Sequence, residues 1–547
     1  MSGRNLALPD ELLVATFLDL NIASITACRQ TCKRFQQIIE DSVHVQYHVE
    51  LQLACMKNGP NSDMSTASRH SMLRARRRAW EALSWSTPEP VLLPTPPGVT
   101  KWKLVGGILC VAGSGFIQCI CLPSLIRGIE QREWRIDHTC GEGGLNWDFC
   151  HDPSQDLLVL FGEFKLSDEE ESHSAFRVHL LTLSTGAPHP AATSSVLLYA
   201  PEFRYWDLSV RLTLQVCGQH FGMVMEDHDC KERPKFAVWN CVSGLKEMEI
   251  DDCSLSILNS FLLLPDDLLL LGVESYSQEG PDEVIETYIG VYDLERTAQS
   301  VPYTLDNEDD QSCIFKLRFP PKFAGGGVFI TSTPLSADKH VTGNGSVECA
   351  SPFVFASEAQ LIVVYLNIHW SGVATRVFFP AAIIAKHVCS VRGSGALGVD
   401  IPWSEWGRSS RVTMDTFRTK GGYGRNEWYR DSTLGLRFAA VLDHILSQEE
   451  WMRLELYGLV AVKDFNPMAH AARSNLGEAW TRPQPETKHW EARFRVAWRK
   501  VDGSSRWWDS CLLDEDAIVL VSEDRSGGPL FAVMSLKEPR EEPTGGV

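Results

Sequence analysis

The sequence predicts a multidomain α+β protein, a short N-terminal helical module followed by a large mainly-β domain, and three observations carry that expectation. Apolar residues recur at helical spacings from Leu8 to about residue 58. A stretch with five prolines, STPEPVLLPTPPG from Ser86 to Gly98, then rules out a continuing helix. From Trp102 the pattern changes to short β-like runs punctuated by Gly, Pro and Asp. At 547 residues the chain also exceeds the ~250–300 at which a single core stops growing.

Within the first segment, Leu12, Leu13, Phe17 and Leu20 define a first helix, and Ile22, Ile25, Cys28 and Cys32 continue at spacings of three and four. Pro9 suits a first helical position, and Asp10 and Glu11 place negative charge at the positive end of the helix dipole. A third helix is expected from near Thr31, carrying Phe35, Ile38, Ile39, Val43 and Tyr47. A further helix is expected over Ser65–Trp85, where the run Arg74–Arg78 reads as a solvated basic face, with an import signal as the alternative. These readings divide the chain into residues 1–58, a basic helix and proline-rich linker at 59–98, and a β domain at 99–547.

In the β domain one pattern recurs: an apolar strand, a polar loop, then a second strand ending in a turn. It is read in Leu157–Gly186, Phe221–Gly244 and Leu268–Thr297, and more loosely in Leu361–Phe379. Aligning Leu181, Trp239 and Tyr292 gives intervals of 58 and 53 residues, with the excess over a regular ~40–45-residue repeat falling in acidic loops at Ser167–Glu171 and Asp306–Asp310. Sheet units that repeat, none able to bury its own faces, predict a β-propeller with degenerate blades. A sandwich or two smaller β domains is the alternative. Most of the 17 Trp are expected in the blade core, among them Trp102, Trp206, Trp239, Trp370, Trp403, Trp406, Trp507 and Trp508.

The net charge of −19, from 70 acids and 51 bases, argues against a surface organised throughout for nucleic acid. No signal peptide is expected, because the first apolar stretch is broken by Asp10, Glu11 and Asp19, and no membrane span, because apolar runs such as Phe261–Leu271 are broken by Pro and Asp. Sixteen scattered Cys read as reduced thiols, so the cytoplasm or nucleus is the expected compartment and the sequon at Asn344 is idle.

The order of features from Leu8 to Ile39, Leu8-Pro9, Asp10-Glu11, Leu12-Leu13 and then Cys32-Lys33-Arg34-Phe35, resembles the F-box, the adaptor-binding module of cullin-type ubiquitin ligases. Ala15 and Phe35 depart from the commonest residues of that pattern but keep apolar character. The resemblance implies a three-helix F-box that binds a Skp-type adaptor, and through it a cullin, using Leu8, Pro9, Glu11, Leu12, Leu13, Phe17, Leu20, Ile25, Cys28, Cys32 and Phe35. Independently, a unit this small buries too little surface to stand comfortably alone, and its apolar surplus marks a partner site. A helical cap packed only on the β domain is the alternative. Ile401–Val412 and Leu459–Pro467 are similar to stretches in the C-terminal regions of fungal F-box proteins. The resemblance therefore implies a non-catalytic substrate receptor that needs no cofactor and recruits a target protein through the β domain. A scaffold without a ubiquitination role is the alternative, and an enzyme sited in the propeller funnel is a third.

Other motifs carry less. Asp524–Leu530, DRSGGPL, lacks the Gly-Asp that precedes the nucleophile in chymotrypsin-like proteases and reads as a hairpin turn. Cys28 and Cys32 lack a second ligand pair, Cys119 and Cys121 alternate on a strand, and Asp227–Cys230 reads as a hairpin loop, so no metal is expected. Phe323–Phe329 lacks the Lys-Ser/Thr of a phosphate loop and reads as a turn. Residues 468–490 read as a polar excursion between strands.

Overall fold

A computed structural model describes residues 8–59, 64–87, 89–140, 147–165, 174–201, 210–227, 234–250, 256–277, 280–297, 313–323, 327–333, 352–366, 373–416, 432–441, 457–466, 490–497, 500–501, 504–505, 508, 510–524 and 528–539. The acidic loops at Ser167–Glu171 and Asp306–Asp310, the sequon at Asn344, and Trp206, Trp370 and Trp507 lie outside these residues. So do the centres of Asp227–Cys230, Phe323–Phe329 and Asp524–Leu530, and nearly all of 468–490.

The N-terminal module holds α1 (Asp10–Leu18), α2 (Ile22–Thr31), α3 (Lys33–Asp41) and α4 (Val43–Ala54). Pro9 stands just before α1 rather than inside it, and its carbonyl accepts from the N–H of Leu12 and Leu13. Asn21 caps α2, its side chain accepting from Ser24 N at 2.9 Å. The single helix expected through Phe35 to Tyr47 is instead two. Ser42 adopts an extended backbone (φ −81°, ψ 109°) and its hydroxyl accepts from Val45 N, which ends α3 and starts α4.

That break turns α4 into a bracket with two buried faces. Val45 and Val49 close the module core of Leu13, Phe17, Ile25, Ile38 and Ile39. Tyr47 and Leu51 pack with Met56, Leu73 and Phe353 on the other side. Leu73 belongs to α5 (Thr66–Ala82), which Ser65 caps through its side chain. Met56–Asn58, directly after α4, pairs antiparallel with Phe353–Phe355 from the β domain. Gly435, at positive φ, lies under this pairing; a Cβ there would stand 2.4 Å from the Phe355 ring.

The β domain is a seven-bladed propeller arrangement of four-stranded antiparallel units. Blade 1 spans 99–137, blade 2 147–199, blade 3 210–250, blade 4 256–318, blade 5 328–416 and blade 6 432–497. Blade 7 joins three C-terminal strands at 510–535 to Val91–Leu92, which pairs with Ala532 and Val533. The proline-rich stretch thus supplies the outermost strand of the last blade, and the ring closes by joining the two ends of the domain. Leu181, Trp239 and Tyr292 all sit on the third strand of their blades, so their alignment follows the repeat.

Each core lies between neighbouring blades. Val519, Val521 and Phe531 of blade 7 meet Leu109, Val111 and Phe116 of blade 1. Phe161 and Phe176 of blade 2 meet Phe221 and Trp239 of blade 3, where the Phe221 and Trp239 rings stack at 5.7 Å. An insertion in blade 5 carries a helix, Ala382–Ser394, and a strand, Val399–Ile401, that runs parallel to the last strand of blade 4. The described Trp102, Trp239, Trp403, Trp406 and Trp508 all pack in these inter-blade clusters.

Candidate functional site: the outward face of the N-terminal module

Helix α1 presents two faces. The i, i+4 pair Leu13 and Phe17 is buried against Ile25, Ile38 and Ile39, and Phe17 meets Phe35 edge to face at 5.5 Å. Leu8 and Leu12, also four apart, remain 50% and 54% exposed, with Pro9, Glu11 and Ala15 exposed beside them. Exposure of that size for Leu12 in the first turn of α1 and Leu8 just before the helix leaves an apolar stripe at the helix start, bordered by Asp10 and Glu11.

The eleven residues singled out in the sequence divide accordingly. Leu8, Pro9, Glu11, Leu12 and Cys32 are exposed; Leu13, Phe17 and Ile25 are buried in the module core; Leu20, Cys28 and Phe35 are half-buried against it. The buried three hold α1 at its angle, while the exposed ones form the surface. Cys32 stands at the corner between α2 and α3, next to the half-buried Phe35.

Polar contacts fix the start of this surface. Arg34 of α3 donates to the Leu8 carbonyl at 2.5 Å and to Asp10 Oδ1 at 2.6 Å, pinning the chain where the stripe begins. Gln52 of α4 accepts from Ile22 N at 2.6 Å and donates to the Leu20 carbonyl at 3.0 Å, closing the loop between α1 and α2. Arg29 donates to Glu40 and holds its carboxyl below the ordinary range. Ser42 and Gln52 carry no functional signal in the sequence. Arg34 lay within the motif, whereas α4 gave no sign of closing a core.

The module is fastened to the propeller rather than tethered. Asn466 Nδ2 donates to the Leu53 carbonyl at 2.7 Å, and Arg77 of α5 bridges Glu50 of α4 and Glu81. Arg437 of blade 6 pairs with Asp464 and stands 4.8 Å over the Trp80 ring. The run Arg74–Arg78 is therefore not a solvated face throughout: Arg76 is 2% exposed, donating to the Glu515 carbonyl and, at 3.0 Å, to Asp516 Oδ1. Helical spacing puts Leu73, Arg76 and Trp80 on one side, and an acidic turn of blade 7 receives the charge.

Among the described residues no group of three or more His, Cys, Asp or Glu could hold a metal ion, and no helix is long and apolar enough to cross a membrane. Cys119 is buried opposite Cys110, their sulfurs 3.5 Å apart.

Residues 6–49 match the F-box-like family model. No curated protein matches the chain. Solved structures that resemble it include Hsv2p of Kluyveromyces lactis, at 12% identity over 52% of this chain and 68% of that one (TM-score 0.25). Drosophila Plexin A, in complex with Semaphorin 1b, resembles it at 9% identity over 82% and 87% of the two chains (TM-score 0.32). The quinohemoprotein alcohol dehydrogenase of Comamonas testosteroni does so at 10% identity over 96% and 86% (TM-score 0.35).

Proposed function

We propose, from an F-box-like domain followed by a seven-bladed β-propeller, that the protein is the substrate-receptor subunit of a Skp-cullin-type ubiquitin ligase. The exposed stripe of Leu8, Pro9 and Leu12, with Glu11 beside it and Cys32 and Phe35 at the neighbouring corner, would receive the Skp-type adaptor. Leu13, Phe17, Leu20, Ile25 and Cys28 would support that surface from within. The propeller would recruit a target protein, and the chain itself would perform no chemistry. Its contribution is proximity: a target lysine held beside a charged conjugating enzyme reacts at a raised effective concentration. Such a role belongs to the cytoplasm or nucleus.

The observation that most supports this reading is the pairing of an outward apolar stripe on α1 with a module bracketed firmly onto the ring. Affinity purification of the full chain tests it, with recovery of both a Skp-type adaptor and a cullin expected. Recovery of the adaptor without a cullin would favour the scaffold reading, and recovery of neither would overturn the proposal.

A further inference from the structure

The turn that joins the first two strands of blade 7 carries three consecutive acids, Asp514, Glu515 and Asp516. Asp514 and Asp516 are 3% and 0% exposed. Two cations reach the turn from opposite directions. Arg76 comes from α5, and Arg127 from the loop that follows the third strand of blade 1.

Asp516 is fully satisfied. Arg76 Nε stands 3.0 Å from one carboxylate oxygen; Arg127 Nε at 2.5 Å and Ser124 Oγ at 2.6 Å donate to the other. Arg127 also pairs with Glu515 at 3.1 Å. Asp514 accepts from the backbone N–H of Glu515, and the only cation near it is the far end of the Arg127 guanidinium, at 3.9 Å, too long for a hydrogen bond. The backbone of the Gly106–Gly107 turn of blade 1 lies on its other side and brings no charge. Arg437 of blade 6 acts on Arg76 from a distance and does not reach Asp514. Two buried carboxylates and the partly exposed Glu515 thus share two guanidinium groups, and one negative charge is in excess.

We propose that the Asp514–Asp516 turn, with Arg76 and Arg127, is a proton-sensitive latch between the ring-closing blade and the helix that carries the N-terminal module. Protonated Asp514 leaves two carboxylates matched to two cations. Ionised Asp514 puts a third charge into the same space, and the cheapest relief is for the turn to part from α5 and admit water. Burial, together with the charges of Glu515 and Asp516, outweighs Arg127 and raises Asp514 to about 6. An acid whose folded-state value is raised contributes stability that is complete below its ordinary value near 4 and is lost as pH rises through about 6. Asp516 runs the other way: burial would raise it, but Arg127 and Arg76 hold it below its ordinary range, so the latch also fails in strong acid. It is tightest between these limits and loosens toward neutrality. This inference does not rest on the functional reading above.

Hydrogen–deuterium exchange of the full-length protein from pH 5 to 7.5, corrected for intrinsic rates, tests the latch. Protection of residues 66–82 and 510–524 is expected to fall roughly tenfold or more across that range, while Ile25 and Ile39 in the module core stay protected. In Asp514→Asn the fall should vanish. A flat profile in the wild type, or the same slope in Asp514→Asn, would overturn the proposal. Should Asp514→Asn not fold, Glu515→Gln removes a neighbouring charge and should move the midpoint to lower pH; an unmoved midpoint would count against the latch.

Discussion

Arg76 and Asp516 show how much one buried pair can carry. They join positions 440 residues apart, and Arg76 is also stacked near Phe353 and Phe355, so the pair touches α5, the closing blade and the strand that pairs with the module. Replacing Asp516 with Ala would leave Arg76 and Arg127 with too few acceptors in a space without water. The expected loss is about 3–5 kcal/mol in denaturant unfolding, against less than about 1 kcal/mol for the exposed pair Arg135 and Asp137. A loss for Asp516→Ala no larger than that of the exposed pair would show that water reaches the cluster. At this scale the sequence is least legible. Nothing separates Arg76 from Arg74 in a basic run, since the acceptor that buries it lies near the other end of the chain. Leu8, Leu12 and Leu13 likewise look alike in the sequence, and only the packing of Leu13 against Ile25, Ile38 and Ile39 sets it apart from the two that face out.

At the scale of elements, the strand around Val91 and Leu92 closes the ring although its sequence is a run of prolines. Contacts with the last strand of blade 7 extend to both sides of this pairing: Trp85 bridges Leu536, Ser86 N donates to Ser535 O at 2.8 Å, and Leu93 N donates to Phe531 O at 2.9 Å. Leu93 is 5% exposed in the core shared by blades 7 and 1, whereas Val91 is 48% exposed. Leu93→Ala is therefore expected to cost about 2–5 kcal/mol and to lower the melting temperature, with Val91→Ala within about 0.5 kcal/mol of wild type. Equal effects of the two would mean that the seam is not closed there. Repeat structure was legible at this scale because the second strands of blades 2 to 5 are apolar runs, Leu157–Phe161, Phe221–Met225, Leu268–Leu271 and Leu361–Leu366, each followed by a further apolar strand. The closing strand was not, because two residues carry no period and their partner lies more than 400 residues away. The break between α3 and α4 was missed for a local reason: apolar residues continue in helical phase across Ser42, and only its capping hydroxyl marks the stop.

Over the whole molecule, two units that differ in period and size are joined by α4 and α5, each with one side on the ring and one side toward the module. α4 shares Val45 and Val49 with the module and Tyr47 and Leu51 with the ring-side core. A truncation through residue 58 would remove both faces at once and expose Leu73 and Phe353, so loss of function after it would not isolate the outward stripe. Substitution at exposed positions does isolate it. Leu8 and Leu12 contribute little to the module core, and removing them should leave folding within about 0.5 kcal/mol of wild type.

The central claim is that this stripe receives a Skp-type adaptor, and titration of the purified full-length protein with purified adaptor measures it most directly. Wild type is compared with the double variant Leu8→Ala, Leu12→Ala, with thermal unfolding recorded for both. Burying two leucines at an interface is worth about 1.5–3 kcal/mol each at most, so the account predicts binding weakened by roughly tenfold or more at an unchanged melting temperature. Equal affinity of the two proteins, or no binding by the wild type, would contradict it.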